Sequence, residues 1–206
     1  MIRHLAIVTI VAVALCSAAS ADIPDLAESF ATMEAAAIGA SVLIVPDGSG
    51  ARFDEARAPG GAVVDATITL TLLNSAAVPI PDYPFEDIWL DTTAGGLAFC
   101  PGGTTADANT DVNGQTIWLL PLLAGGCSEG ESTVVMVAGE PLVGPPLDLF
   151  YVSPDISGDG EVNLADIVMF TQALVAYEPC ADFNHDGEVN LVDIVIMVPT
   201  IGADCP

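Results

Sequence analysis

Two stretches near the C-terminal end carry oxygen side chains at a spacing that can wrap a cation. Asp155-Ile-Ser-Gly-Asp-Gly-Glu-Val-Asn-Leu-Ala-Asp166 recurs as Asp182-Phe-Asn-His-Asp-Gly-Glu-Val-Asn-Leu-Val-Asp193. The offset is constant, 182 − 155 = 27 and 193 − 166 = 27. Positions 1, 3 and 5 hold Asp155, Ser157 and Asp159 in the first loop and Asp182, Asn184 and Asp186 in the second. Position 6 is Gly160 or Gly187, where the chain must turn sharply. Position 7, Glu161 or Glu188, offers its backbone carbonyl, and position 9, Asn163 or Asn190, acts directly or through a water. Position 12 is Asp166 or Asp193, an aspartate where calcium loops usually carry a bidentate glutamate. Hard oxygen donors at this spacing suit calcium better than magnesium, which demands a tighter octahedron. A single such stretch also reads, less well, as a polar turn. Two in register, each opening an apolar helix pattern, predict two calcium ions.

The helices that position these ligands follow the loops. Leu164, Ile167, Val168, Thr171 and Leu174 correspond to Leu191, Ile194, Val195, Val198 and Ile201, spaced to form one apolar face. Pro154 and Pro179 disfavour a helix leading into either loop, so each unit is predicted as loop then helix. Two such units with aspartate at the twelfth position resemble a type I dockerin, over about Ser153–Cys205. That resemblance implies calcium-dependent folding with two antiparallel helices. It also implies binding to a cohesin through Leu164-Ala165 and Leu191-Val192 and the helices beyond them. Many cellulosomal dockerins carry hydroxyl residues at those places and a basic residue further along; this chain has neither. His185, at position 4 of the second loop, is expected to face solvent.

From Ser41 to Val152 short β runs alternate with turn residues. Ser41–Val45, Ala66–Leu72, Ile88–Leu90, Gly96–Cys100, Gln115–Leu119, Thr133–Val137 and Leu147–Val152 are the runs, punctuated by Gly, Pro and Asn clusters. Leu26–Ala37 reads as helix by its alanines and glutamates or as an edge strand by the alternation of Phe30, Thr32 and Glu34, and strand is preferred. Seven or so short strands predict a β-sandwich. Ala66–Leu73, Val78-Pro-Ile80 and Ala106–Thr116 resemble bacterial Ig-like domains of the invasin type. The resemblance implies a spacer, adhesion or assembly module. The predicted fold is therefore mainly β, an Ig-like sandwich over 22–152 followed by a small α-helical dockerin-like domain over 153–206.

Chain chemistry sets the address. Met1-Ile-Arg-His, the apolar stretch Leu5–Leu15 and Ala19-Ser20-Ala21 describe a secretory signal peptide over 1–21, too short for a comfortable membrane span. Cys100, Cys127, Cys180 and Cys205 follow it, an even count that in an exported chain favours disulfides. Cys100–Cys127 and Cys180–Cys205 are the expected pairs, each within one segment, with other connectivities left open. Twenty-eight acidic residues against three arginines and no lysine repel phosphate and anionic lipid, arguing against nucleic-acid and membrane-surface partners. At 52% hydrophobic, the chain has the apolar content to fold rather than stay disordered.

Enzymatic chemistry has little to build on. A nucleophilic triad needs a base, and the one histidine beyond the leader is His185, at position 4 of the second loop. Asp82, Glu86, Asp87 and Asp91 flank Trp89 and would serve a glycosidase if two faced a cleft, though an acidic surface loop is the plainer reading. Tyr83, Phe85, Trp89 and Trp118 would stack a sugar if exposed, though strand aromatics are more often core. The expectation is a secreted, non-enzymatic, calcium-binding structural or interaction protein that meets a protein partner or itself through the calcium domain. The alternatives are a cohesin-binding component of a polysaccharide-degrading complex and a carbohydrate-binding module.

Overall fold

The computed structural model describes residues 23–206; the expected signal peptide lies outside them. The strands among the described residues are β1 Phe30–Thr32, β2 Ala40–Leu43, β3 Ala56–Arg57, β4 Val63–Val64, β5 Ile68–Thr71, β6 Ile88–Thr92, β7 Leu97–Phe99, β8 Gln115–Trp118, β9 Ala124–Gly126, β10 Thr133–Val137, β11 Glu140–Pro141 and β12 Leu149–Val152. Each of the seven predicted runs overlaps one of them. Period-two alternation explains why. Ile68 and Leu70 point inward with Thr69 between them, as do Ile88 and Leu90 around Trp89, and Val135 and Val137 around Met136. The ambiguous N-terminal stretch resolves as the edge strand β1, paired to β5, followed by a single 3₁₀ turn at Ala35–Ala37.

The strands form four small sheets, ordered β1-β5-β8, β11-β10-β6, β12-β2-β3-β4 and β7-β9. All pairings are antiparallel except β12 with β2, which run parallel from Leu149↔Ala40 to Val152↔Leu43. All four sheets contribute buried side chains to one core that includes Phe53, Ile68, Leu70, Leu90, Leu97, Trp118, Ala124 and Tyr151. The fold is thus mainly β around a shared apolar centre. Trp118 is fully buried, and its indole N–H donates to Thr104 O at 3.1 Å. That removes it from any sugar-stacking surface; Tyr83, Phe85 and Trp89 are half-buried.

Two helices follow, α1 Leu164–Ala173 and α2 Leu191–Met197, the second running into a 3₁₀ turn at Val198–Thr200. The predicted apolar face is not the face they bury. Phe170, Ala173 and Met197 are buried and Ile167 and Ile194 half-buried, whereas Leu164, Val168, Leu174, Leu191, Val195, Val198 and Ile201 are exposed. The reason lies in the loops. Asp166 and Asp193 sit in the first helical turns and point inward, each fully buried. An inward residue i brings i+4 and i+7 to the same side. Asp166 thereby buries Phe170 and Ala173, and Asp193 buries Met197 and Thr200.

This C-terminal unit shares its core with the β body. Val45 and Val152 pack with Val162, Phe170, Phe183 and Met197, joined by the partly buried Leu43 and Phe150. Phe170 stacks on Phe183 with ring centroids 5.8 Å apart. The cysteines also cross between the two parts, as Cys100–Cys205 and Cys127–Cys180. The expected pairing within each segment is therefore corrected. Folding sets Cys205 beside β7 and Cys180 beside β9, with both Cα–Cα distances at 5.5 Å, so closeness in sequence does not select the partners.

Candidate metal centre

Both repeat stretches are tight loops wrapped around their own aspartates. Asp155 Oδ1 accepts the N–H groups of Gly158 (2.9 Å) and Asp159 (3.2 Å) and the Ser157 hydroxyl (3.2 Å), and its Oδ2 accepts Gly160 N–H at 2.9 Å. Asp182 repeats the arrangement, accepting Asp186 N–H at 3.1 Å and Gly187 N–H at 2.8 Å, with the Tyr177 hydroxyl added at 3.2 Å. Gly160 and Gly187 have φ of +88° and +91°, the sharp turn expected at position 6. Position 4 is left-handed as well, at Gly158 (φ +69°) and His185 (φ +55°), which spacing alone did not reveal.

Position 12 closes each loop. Asp166 accepts Ser157 N–H (2.9 Å) and Asn163 N–H (2.8 Å), and Asp193 accepts Phe183 N–H and Asn190 N–H, both at 2.9 Å. The position-9 asparagines cap the helices. Asn163 Oδ1 accepts Ala165 N–H and Asn190 Oδ1 accepts Val192 N–H, each at 2.8 Å. Glu161 stands opposite Asp204 in a short antiparallel bridge. Its neighbours make the flanking bonds, Cys205 N–H to Gly160 O and Val162 N–H to Ala203 O. Glu161's own N–H and carbonyl therefore turn toward the loop, where the N–H meets Asp159 Oδ1 at 3.1 Å.

The electrostatics of these loops are unusual. Asp155, Asp166, Asp182 and Asp193 are at most 1% exposed. Among the described residues the one ion pair is Arg52 with Asp54, and Arg57 donates to Gly61 O; neither arginine meets a loop carboxylate. Burial raises the pKa of Asp155, and the negative charge of Asp166 pushes it further, against the pull of the Gly160 and Asp159 N–H groups. Burial likewise raises Asp193, opposed by the Asn190 and Phe183 N–H groups and reinforced by Asp182. The carboxylates are drawn onto backbone donors: among the described residues, no three His, Cys, Asp or Glu side chains gather as a metal-binding group. The donor set itself, hard carboxylate and amide oxygens held around a fixed turn, fits calcium chemistry.

The loops are seated on the β body. Gly126 N–H donates to Asp155 O at 2.8 Å, and Gly60 N–H to His185 O at 2.9 Å. His185 does not face solvent as expected. Its positive φ turns the ring back onto the body, where Nε2 lies 3.3 Å from Gly39 O and the ring meets Phe150 edge-on at 5.1 Å. Elsewhere, Asp82, Glu86 and Asp87 are exposed, Asp91 is half-buried, and none lines the apolar groove of about 720 Å³ between β1 and the 141–148 return.

No family model matches this chain, and no curated protein matches it. Among solved structures it is similar to the filamin domain of Lin-41, at 14% identity and a TM-score of 0.29, over 61% of this chain and 95% of that one. No helix among the described residues is long and apolar enough to cross a membrane, and the two disulfides mark an oxidising compartment.

Proposed function

We propose that this chain is a secreted calcium-binding structural or interaction protein: an Ig-like sandwich carrying a dockerin-like unit with two calcium loops. The observation that carries the reading is the burial of four aspartates, positions 1 and 12 of both loops, with no arginine among the described residues paired to them. An unpaired buried carboxylate costs several kcal/mol, and a divalent cation in each loop offsets that cost for two aspartates at once. Asp155, Ser157, Asp159, Asn163 and Asp166, with the Glu161 carbonyl, would hold one ion. Asp182, Asn184, Asp186, Asn190 and Asp193, with the Glu188 carbonyl, would hold the other. The bound ions supply charge neutralisation and loop order; the protein's own residues supply the turn, the caps and the seat.

A protein-docking role is favoured by the apolar surface left outside. Leu164, Leu191 and Val195 are 71%, 74% and 72% exposed, with Ala165, Val168 and Val192 beside them. Exposed apolar side chains on an otherwise acidic chain suit a protein partner, of cohesin type or a second copy, better than an anionic polymer. Calorimetric titration of the oxidised protein with calcium chloride tests the central claim. Two ions should bind to the parent and one to Asp155→Ala or Asp182→Ala; a flat titration of the parent would sink it.

A further inference from the structure

The β body does more at the first loop than support it. At Gly125, in β9, a Cβ would overlap Asp155 Oδ2 and lie 2.7 Å from Cγ and 3.0 Å from Cβ of the same aspartate. Gly125 is not among the glycines with positive φ, so its backbone leaves other residues free to stand there. What the position requires is empty space, and Asp155 alone supplies the atoms nearest to that Cβ. The next two residues act on the same place. Gly126 donates its N–H to Asp155 O, and Cys127 is bridged to Cys180, two residues before the second loop. The second loop touches its own sandwich glycine more loosely. A Cβ at Gly61 would stand 3.3 Å from Asn184 O and 3.3 Å from Asp186 Cβ, clear of the position-1 ligand Asp182.

We propose that Gly125 is a positioning residue for the first calcium loop: its missing side chain is the slot in which the Asp155 carboxylate stands. The proposal rests on the calcium reading for its binding consequence and on the contact alone for its structural one. The sandwich thereby shapes one of the two sites, which become inequivalent although their sequences match. Any side chain at 125 displaces Asp155 from the position its N–H donors define, and the first ligand of the loop moves with it. Second-sphere changes of this kind lower metal affinity by about 10–100-fold.

The test uses the full disulfide-bonded protein with the substitutions Gly125→Ala and Gly125→Val, alone and combined with Asp155→Ala. Titration with calcium chloride should show one tight ion instead of two for Gly125→Val. The other ion should bind with parental affinity, and Gly125→Ala should weaken a single site by about tenfold or more. Melts in excess EDTA form a cycle that does not depend on calcium. Gly125→Ala should lower the melting temperature of the parent and have little effect once Asp155 is alanine. Should Gly125→Val fail to fold alone, its recovery in the Asp155→Ala background supports the slot, and its failure there overturns it. Two tight ions in Gly125→Val, or equal melting losses in both backgrounds, also overturn it. If the parent binds no calcium, the functional reading fails while the melting cycle still decides the contact.

Discussion

Replacing Cys100 and Cys205 together by serine tests how the two parts are joined. Their bridge spans 105 residues of sequence and encloses the Cys127–Cys180 bridge, which spans 53. With the inner bridge intact, the outer one closes only 105 − 53 = 52 residues of free chain. On the chain-entropy model a loop of that size restricts the unfolded state by about 4 kcal/mol. For a chain of this length such a loss lowers the melting temperature by roughly 8–16 °C. Pairing between neighbours in sequence would instead close 127 − 100 = 27 and 205 − 180 = 25 residues. Those loops are worth roughly 3.5 kcal/mol each, so stability barely separates the two connectivities. Topology separates them cleanly. A cut after the exposed Glu129 leaves Cys100 and Cys127 on one fragment and Cys180 and Cys205 on the other. The fragments should stay joined on a non-reducing gel and part only with reductant. Fragments that part without reductant refute the crossed pairing. A double-serine variant that melts with the parent in EDTA refutes the stabilisation.

The rotation of the helices gives a second check: Phe170→Ala should cost about 3–5 kcal/mol as a buried large-to-small change. Leu164→Ala, on the exposed side, should stay within about 0.5 kcal/mol, and the reverse order in denaturant melts would mean that α1 is turned the wrong way. Replacing Ala165 and Val192 by glutamate should leave calcium stoichiometry unchanged and weaken whatever contact covers this face; a variant that keeps every association of the parent in sedimentation and pull-down rules the face out. Asp111 should titrate below the ordinary aspartate value, because the N–H groups of Gln115 and Asn113 hold its charged form. Its folded-state pKa is the lower one, so its stabilising contribution is complete above the unfolded value and disappears as pH falls through the folded one. A carboxyl resonance of Asp111 titrating at or above the unfolded value contradicts the turn.

Local chemistry is what the sequence determines here. Alternation in Ala66–Leu72 specifies a half-buried strand without reference to the rest of the chain, because successive strand side chains point to opposite faces. The loop turns at Gly160 and Gly187 and the caps at Asn163 and Asn190 are likewise local, each satisfied within a few residues. The strands not legible in the sequence are β3, β4, β9 and β11, two or three residues long and, in β9, mostly glycine, with no alternation to read. Tertiary structure decided everything that joins distant segments. Asp166 and Asp193, drawn inward by their loops, overrode the apolar period and chose which helix faces are buried. The shared packing of Val45 and Val152 with Phe170 and Phe183 brought the C-terminal unit onto the β body and carried each cysteine to a partner far along the chain. His185 turned inward for the same reason, since Gly39 O and Phe150 reach it only once the loop is seated. A side chain's neighbours within one turn or one loop are written beside it, whereas its neighbours across a core depend on how every other element packs.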